Sequence, residues 1–134
     1  MTVFIDTSAF VALMNADDRM NPAAQDTLEE LFSSDAVLFT SNYVLLETSA
    51  LIQCRLGMEA LNAFHADILP LVVVKWVDES IHRTGMNTVL AAGRKQLSLV
   101  DCVSFDVMRT RGITSAFTFD QHFAEQGFVC IPAG

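Results

Sequence analysis

Apolar residues in this chain gather in short runs, separated by longer stretches with helical spacing. Five runs are uniformly apolar or nearly so: Thr2-Val3-Phe4-Ile5 leading into Asp6, Ala36–Thr40, Leu71–Val77, Ser115–Phe119 and Phe128–Ile131. None alternates cleanly between apolar and polar, as a strand with one wet face would, so each predicts a strand buried on both faces. The intervening stretches carry helix signals. Ser8–Asn15 is apolar. Asn21 followed by Pro22 predicts a cap and a first helical residue for a helix running to Ser33. Ser41 or Asn42 opens a helix through Leu56, with Gly57 as its C-terminal cap. Met58–Leu69 is a helix stopped by Pro70, and Asp78 or Ser80 opens another toward Ala92, weakened by Gly85. Gly93–Leu97 is a loop, Ser98–Arg111 a helix closed by Gly112, and Gln121–Glu125 a short helical turn.

Strands alternating with helices predict an α/β fold, a parallel sheet covered by helices on both faces. In such sheets ligands bind outside the carboxyl ends of the strands. At 134 residues, without an internal repeat or a linker, residues 1–134 are expected to form one domain.

Composition narrows the function classes. Hydrophobic residues make up 51% of the chain and mean hydropathy is +0.37, high for so short a sequence. A buried parallel sheet accounts for that surplus, as does an apolar interface. No apolar run approaches the roughly 20 residues of a membrane-spanning helix. The N-terminus has no basic leader, and Asp6 interrupts its apolar stretch, so no signal peptide is expected. Cys54, Cys102 and Cys130 are odd in number and lack CxxC spacing, which predicts reduced, mostly buried thiols in a cytoplasmic protein. The net charge of −8 argues against a plain nucleic-acid-binding module.

The chemistry lies in four carboxylates. Asp6 and Asp120 end apolar runs, so both fall at carboxyl ends of strands. Glu47 sits in a helix where its neighbours at helical spacing are Tyr43, Val44, Ala50 and Leu51, with Cys54 one turn on; a partly buried carboxylate there needs a partner. Asp101 completes Ser98-Leu99-Val100-Asp101, a Ser-x-x-Asp capping box. Each has a local alternative: Asp6 as a helix cap, Glu47 as an inert polar residue, Asp101 as a capping partner, Asp120 as a turn residue. Together they could meet at one sheet edge, where mutual repulsion and desolvation are usually compensated by a hard divalent cation such as Mg2+ or Mn2+. Asp106 lies about 140° around its helix from Asp101 and is expected in solvent near Arg109. His65, His82 and His122 look isolated, and no GxGxxG or GxxxxGK[ST] phosphate loop is present.

The segments around these acids resemble the PIN-domain ribonucleases, and among them the VapC-like toxins of type II toxin–antitoxin systems. The matching stretches are Val3-Phe4-Ile5-Asp6-Thr7-Ser8, Asn42–Ala50 around Glu47, Leu97-Ser98-Leu99-Val100-Asp101-Cys102, and Thr118-Phe119-Asp120-Gln121-His122-Phe123. Their order and spacing span nearly the whole chain. The resemblance implies a five-stranded parallel sheet flanked by helices and a metal-dependent endoribonuclease using Mg2+ or Mn2+. It assigns Asp6, Glu47, Asp101 and Asp120 as metal-binding and catalytic acids, supported by Thr7, Ser8 and Thr118. RNA is the implied substrate, with Arg83, Arg94, Lys95, Arg109 and Arg111 as candidate backbone contacts, Arg94-Lys95 foremost. A homodimer and a cognate antitoxin are the implied partners, with Leu45, Leu46, Leu61 and Phe64 as candidate interface residues. The alternative is a PIN-like fold used as a binding or assembly module without turnover. A haloacid-dehalogenase-type phosphatase lacks its second aspartate after Asp6, and a receiver domain lacks its late lysine, since none follows Lys95.

Overall fold

A computed structural model describes residues 1–133. The five predicted strands form one parallel sheet in the order β3-β2-β1-β4-β5, with β1 (Thr2–Ile5) at its centre. β2 (Val37–Ser41) and β3 (Val73–Lys75) extend the sheet on one side. β4 (Ser115–Phe117) and β5 (Val129–Ile131) extend it on the other. Val3 pairs with Leu38 on one flank and with Ser115 on the other. The uniform apolarity of β1 has its cause here: Val3, Phe4 and Ile5 are buried, because helices cover both faces.

Seven helices connect the strands: α1 (Thr7–Met14), α2 (Asn21–Ser33), α3 (Asn42–Arg55), α4 (Met58–Ala63), α5 (Glu79–Ala92), α6 (Leu99–Arg111) and α7 (His122–Glu125). Aromatic packing binds α6 and α7 to the sheet. Phe123 is fully buried, its ring 4.9 Å edge-on from Phe105 and 6.5 Å from Phe4. Phe10, in α1, packs edge-on against Phe64 at 5.3 Å. Pairs of this geometry add about 0.5–1.5 kcal/mol beyond their buried area.

Several expectations are revised. Asn21 is not a helix cap; Met20 precedes α2 without a side-chain cap, and the Asn21 amide donates to the Ala12 and Leu13 carbonyls that end α1. The predicted helix Met58–Leu69 is α-helical only to Ala63, then passes through a π turn (Phe64–Ile68) into a 3-10 turn at Leu69–Leu71. Strands three and four are shorter than their apolar runs. Gly85 sits inside α5, where it lets α5 approach α6, since a Cβ there would lie 2.4 Å from a Val103 methyl. Cys102 is buried, Cys130 half-buried and Cys54 exposed, so the expectation of mostly buried thiols fails at Cys54. Asp106 is half-buried and accepts from the Thr88 hydroxyl, while Arg109 donates to Gln126 instead. Of the candidate interface residues, Phe64 is core, Leu45 and Leu61 pack partly against it, and Leu46 is 72% exposed. Among the described residues, no helix is long and apolar enough to cross a membrane.

Candidate active site

The strand order creates a switch point. From β1 the chain travels out to β2 and β3, then returns to lay β4 on the opposite flank of β1. A crevice opens where the order reverses, outside the carboxyl ends of β1 and β4. Asp6 follows β1 directly, and Thr118, Phe119 and Asp120 follow β4. α3 and α6 approach the same crevice, bringing Glu47 and the first turn of α6. The resulting cleft, of about 350 Å³, is lined by Asp6, Thr7, Ser8, Glu47, Asp101 and Asp120, among others.

A hydroxyl network fixes Asp6, which is 4% exposed. Its Oδ2 accepts from the Ser8 hydroxyl at 2.9 Å and from the Thr118 hydroxyl at 3.1 Å. The Ser8 backbone N–H adds a longer bond at 3.4 Å, so Asp6 also caps α1. Ser8 Oγ accepts the Phe119 N–H at 2.9 Å, and Thr118 Oγ1 accepts the Asp120 N–H at 2.9 Å. The strand ends of β1 and β4 are thereby stitched through two side chains. Thr7 also lines the cleft, and its buried hydroxyl has no hydrogen-bond partner among the described residues.

The other aspartates follow the same pattern. Asp101 Oδ2 accepts the Ser98 N–H at 3.2 Å while Ser98 Oγ accepts the Asp101 N–H at 3.0 Å, a complete capping box. Asp120 Oδ1 accepts the His122 N–H at 2.9 Å. Each aspartate thus commits one oxygen to fixing its own turn. Capping and a place in the cleft lining coexist in the same side chains. Glu47 is half-buried and accepts no hydrogen bond among the described residues.

Electrostatics register the crowding. Burial pushes the Asp6 carboxyl from its ordinary 3.8 up to about 6, with the Asp101 charge adding to the push and the Ser8, Thr118 and Thr7 hydrogen bonds opposing it. Burial also raises Asp101, reinforced by the charges of Asp120 and Glu47 and opposed by Ser98. A carboxylate whose neighbours are other carboxylates favours its neutral form.

Asp18 also lines the cleft as a fifth carboxylate, and two further residues were not expected here. His122, read as isolated, is half-buried beside Asp120, and Asp101, Asp120 and His122 offer ligand atoms all within 4.8 Å of one another. Asp6 and Glu47 fall outside that tight group. Among the described residues, Arg55, at the end of α3, is the only Lys or Arg lining the cleft. None of the five cations expected to contact RNA lines it: Arg83 pairs with Glu79, Arg94 lies 3.5 Å from Glu125, Arg109 is held by Gln126, and Arg111 covers the Phe39 ring. Lys95 is exposed in the loop before α6.

A family model, the PIN domain, matches residues 3–129. The chain belongs to the PIN-domain family. Its likeness extends to a particular branch: it is 38% identical over 129 residues, 95% of either chain, to the 23S rRNA-specific endonuclease VapC20 of Mycobacterium tuberculosis. The crystal structure of that VapC20, described as a sarcin–ricin loop cleaving toxin, superposes with a TM-score of 0.83 at 35% identity, covering 95% of this chain and 96% of that one. VapBC2 of Rickettsia felis, bound to promoter DNA, superposes with a TM-score of 0.71 at 13% identity, covering 97% of each chain. FitAcB of Neisseria gonorrhoeae gives 0.67 at 18%, covering 97% and 96%. These last two share the fold.

PIN nucleases generally depend on divalent metal, and the donor set here fits such an ion. Three aspartates present one clamped and one uncommitted oxygen each, and their mutual repulsion is the kind a cation relieves.

Proposed function

We propose that this protein is a metal-dependent endoribonuclease, the toxin of a toxin–antitoxin pair, and that residues 1–134 act as one PIN domain. The observation carrying this reading is that the four carboxylates expected from the sequence, from two strand ends and two helices, converge on one cleft at the switch point of the sheet. Asp6, Glu47, Asp101 and Asp120 hold Mg2+ or Mn2+. When bound, the cation supplies Lewis acidity and an activated water for phosphodiester hydrolysis.

The chain's own residues do the rest. Ser8 and Thr118 orient Asp6 and favour its charged form by donating to Oδ2, partly opposing the effect of burial. Ser98 and the turn at His122 fix Asp101 and Asp120. These clamps cost no reorganisation when the substrate arrives. Glu47, free of hydrogen bonds, is the acid that orients the attacking water and takes its proton. Arg55 meets a phosphate at the rim of an otherwise acidic cleft.

The similarity to VapC20 favours a ribosomal RNA loop as substrate, since specific RNA cleavage depends on shape and unstacked bases. The protein works in the cytoplasm as a homodimer, with exposed Leu46 and Met58 in the apolar contact, and its net charge of −8 suits a basic antitoxin segment. The test is incubation of intact ribosomes with purified, antitoxin-free protein in Mn2+, Mg2+ or EDTA, followed by primer extension across the large-subunit RNA. A discrete metal-dependent break is expected. Scattered cutting would remove the ribosomal assignment, and no cutting of any RNA with metal bound would replace the nuclease with a binding module. A strictly monomeric mass at micromolar concentration would refute the dimer.

A further inference from the structure

Behind Asp101 and Asp120, which line the cleft, one buried ring nitrogen has no hydrogen-bond partner among the described residues. His122 Nδ1 lies 3.0 Å from Asp120 Oδ1, yet that oxygen already accepts the His122 backbone N–H at 2.9 Å, and the ring nitrogen is not aligned for a bond of its own. The His122 side chain is 15% exposed, and its backbone is fixed by the neighbouring Phe123, fully buried among Phe4, Phe105 and Phe128. A buried polar atom left without a partner costs about 1–3 kcal/mol. Such a cost persists where the atom has a use.

The surroundings indicate the use. His122 and the carboxylates of Asp101 and Asp120 present ligand atoms within 4.8 Å of one another. The ring nitrogen lies 3.0 Å from the clamped oxygen of Asp120, which sets it beside the carboxylate whose other oxygen is uncommitted. An imidazole nitrogen suits first-row transition ions better than Mg2+, which demands oxygen.

We infer that His122 Nδ1 is a nitrogen ligand in this centre, adding to the carboxylates and biasing it toward a first-row transition ion such as Mn2+ over Mg2+. The inference rests on the metal-centre reading above. It makes the centre a mixed nitrogen–oxygen site, with His122 and Asp120 supplied by one turn and Asp101 by the start of α6.

The test is electron spin-echo spectroscopy of Mn2+ added to the metal-free full-length protein, alongside Mn2+ and Mg2+ affinities by calorimetry. The expected result is a directly bonded nitrogen-14 coupling that converts to nitrogen-15 when histidine is isotopically labelled. His122→Gln should lose the coupling and weaken Mn2+ binding by about tenfold or more, the lower end of what losing even an outer-shell partner costs, with Mg2+ affinity changed far less. Labelling of the native protein keeps the result independent of how the variant folds. Mn2+ bound without nitrogen coupling, but weakened by Asp6→Asn, would overturn the role of His122 and leave the carboxylate centre standing. Failure of the native protein to bind Mn2+ or Mg2+ would overturn both.

Discussion

The two edges of this sheet are built on opposite principles. At the carboxyl edge polar groups are buried: Asp6, Thr40, Ser41 and Thr118 are each no more than 4% exposed. At the amino edge apolar groups are left in water: Val37, Val73 and Val129, the first residues of β2, β3 and β5, are 46%, 52% and 62% exposed. Burial energetics alone would favour the reverse arrangement at both ends. The middle of the sheet, where Val3, Phe4, Ala116 and Phe117 are fully buried, carries the stability. The carboxyl edge draws on that stability to hold charges together, and the amino edge has no such demand. Function is legible in where the fold tolerates an unfavourable arrangement.

The largest effect expected from breaking this contrast is on cleavage. Asp6→Asn removes a charge from the centre and should lower kcat by about 10²–10³-fold, the cost of deleting one preorganised electrostatic group, measured as single-turnover cleavage of the mapped RNA. The same acid should govern the pH dependence of the metal-free protein. Because the folded-state pKa of Asp6 is raised to about 6 from 3.8, the folded state binds more protons than the unfolded state between those values. Stability is therefore full below about pH 4 and falls as pH climbs through about 6, by about 3 kcal/mol in total. Urea titrations in EDTA from pH 4 to 7 should show this decline, and Asp6→Asn should abolish most of it.

Thr118→Val tests the clamp rather than the charge. It removes a donor from Asp6 and strands the Asp120 N–H, so it should cost about 1–3 kcal/mol and move the midpoint of the pH decline upward. The smallest effect belongs to the other edge. Arg111→Ala, which uncovers the Phe39 ring from a guanidinium 5.2 Å away, should cost about 0.5–1 kcal/mol and leave cleavage unchanged. A large loss of activity there would mean that RNA crosses the amino edge and that the contrast is misdrawn.

Much of the carboxyl edge was readable before the fold was known, because strand ends are local features. Val3-Phe4-Ile5-Asp6 and Phe117-Thr118-Phe119-Asp120 each announce an apolar run stopped by an acid, and Ser98-x-x-Asp101 announces a helix start. The placement of β4 against β1, which makes the crevice, is a non-local pairing that no window of sequence contains. Arg55 escaped for a similar reason: at the end of a helix it reads as a cation facing the helix dipole, and only the tertiary arrangement brings it to the acids. The Asp120-Gln121-His122 spacing was the available signal for His122, since a turn places residues two apart side by side. Asn21 misled because a cap residue before proline is a strong local pattern, yet its amide is used to finish the preceding helix.

We propose that the carboxyl edge, unstable by itself, is completed by a cation. This is tested most directly by the melting temperatures of the native protein and Asp6→Asn at pH 7, each in EDTA and in Mn2+. The expected result is a reversal of order: in EDTA the variant melts higher, by up to about 10 °C if the full Asp6 cost is relieved, and in saturating Mn2+ the native protein gains more and overtakes it. A native protein that melts higher in EDTA, or one that Mn2+ leaves unchanged, would contradict it.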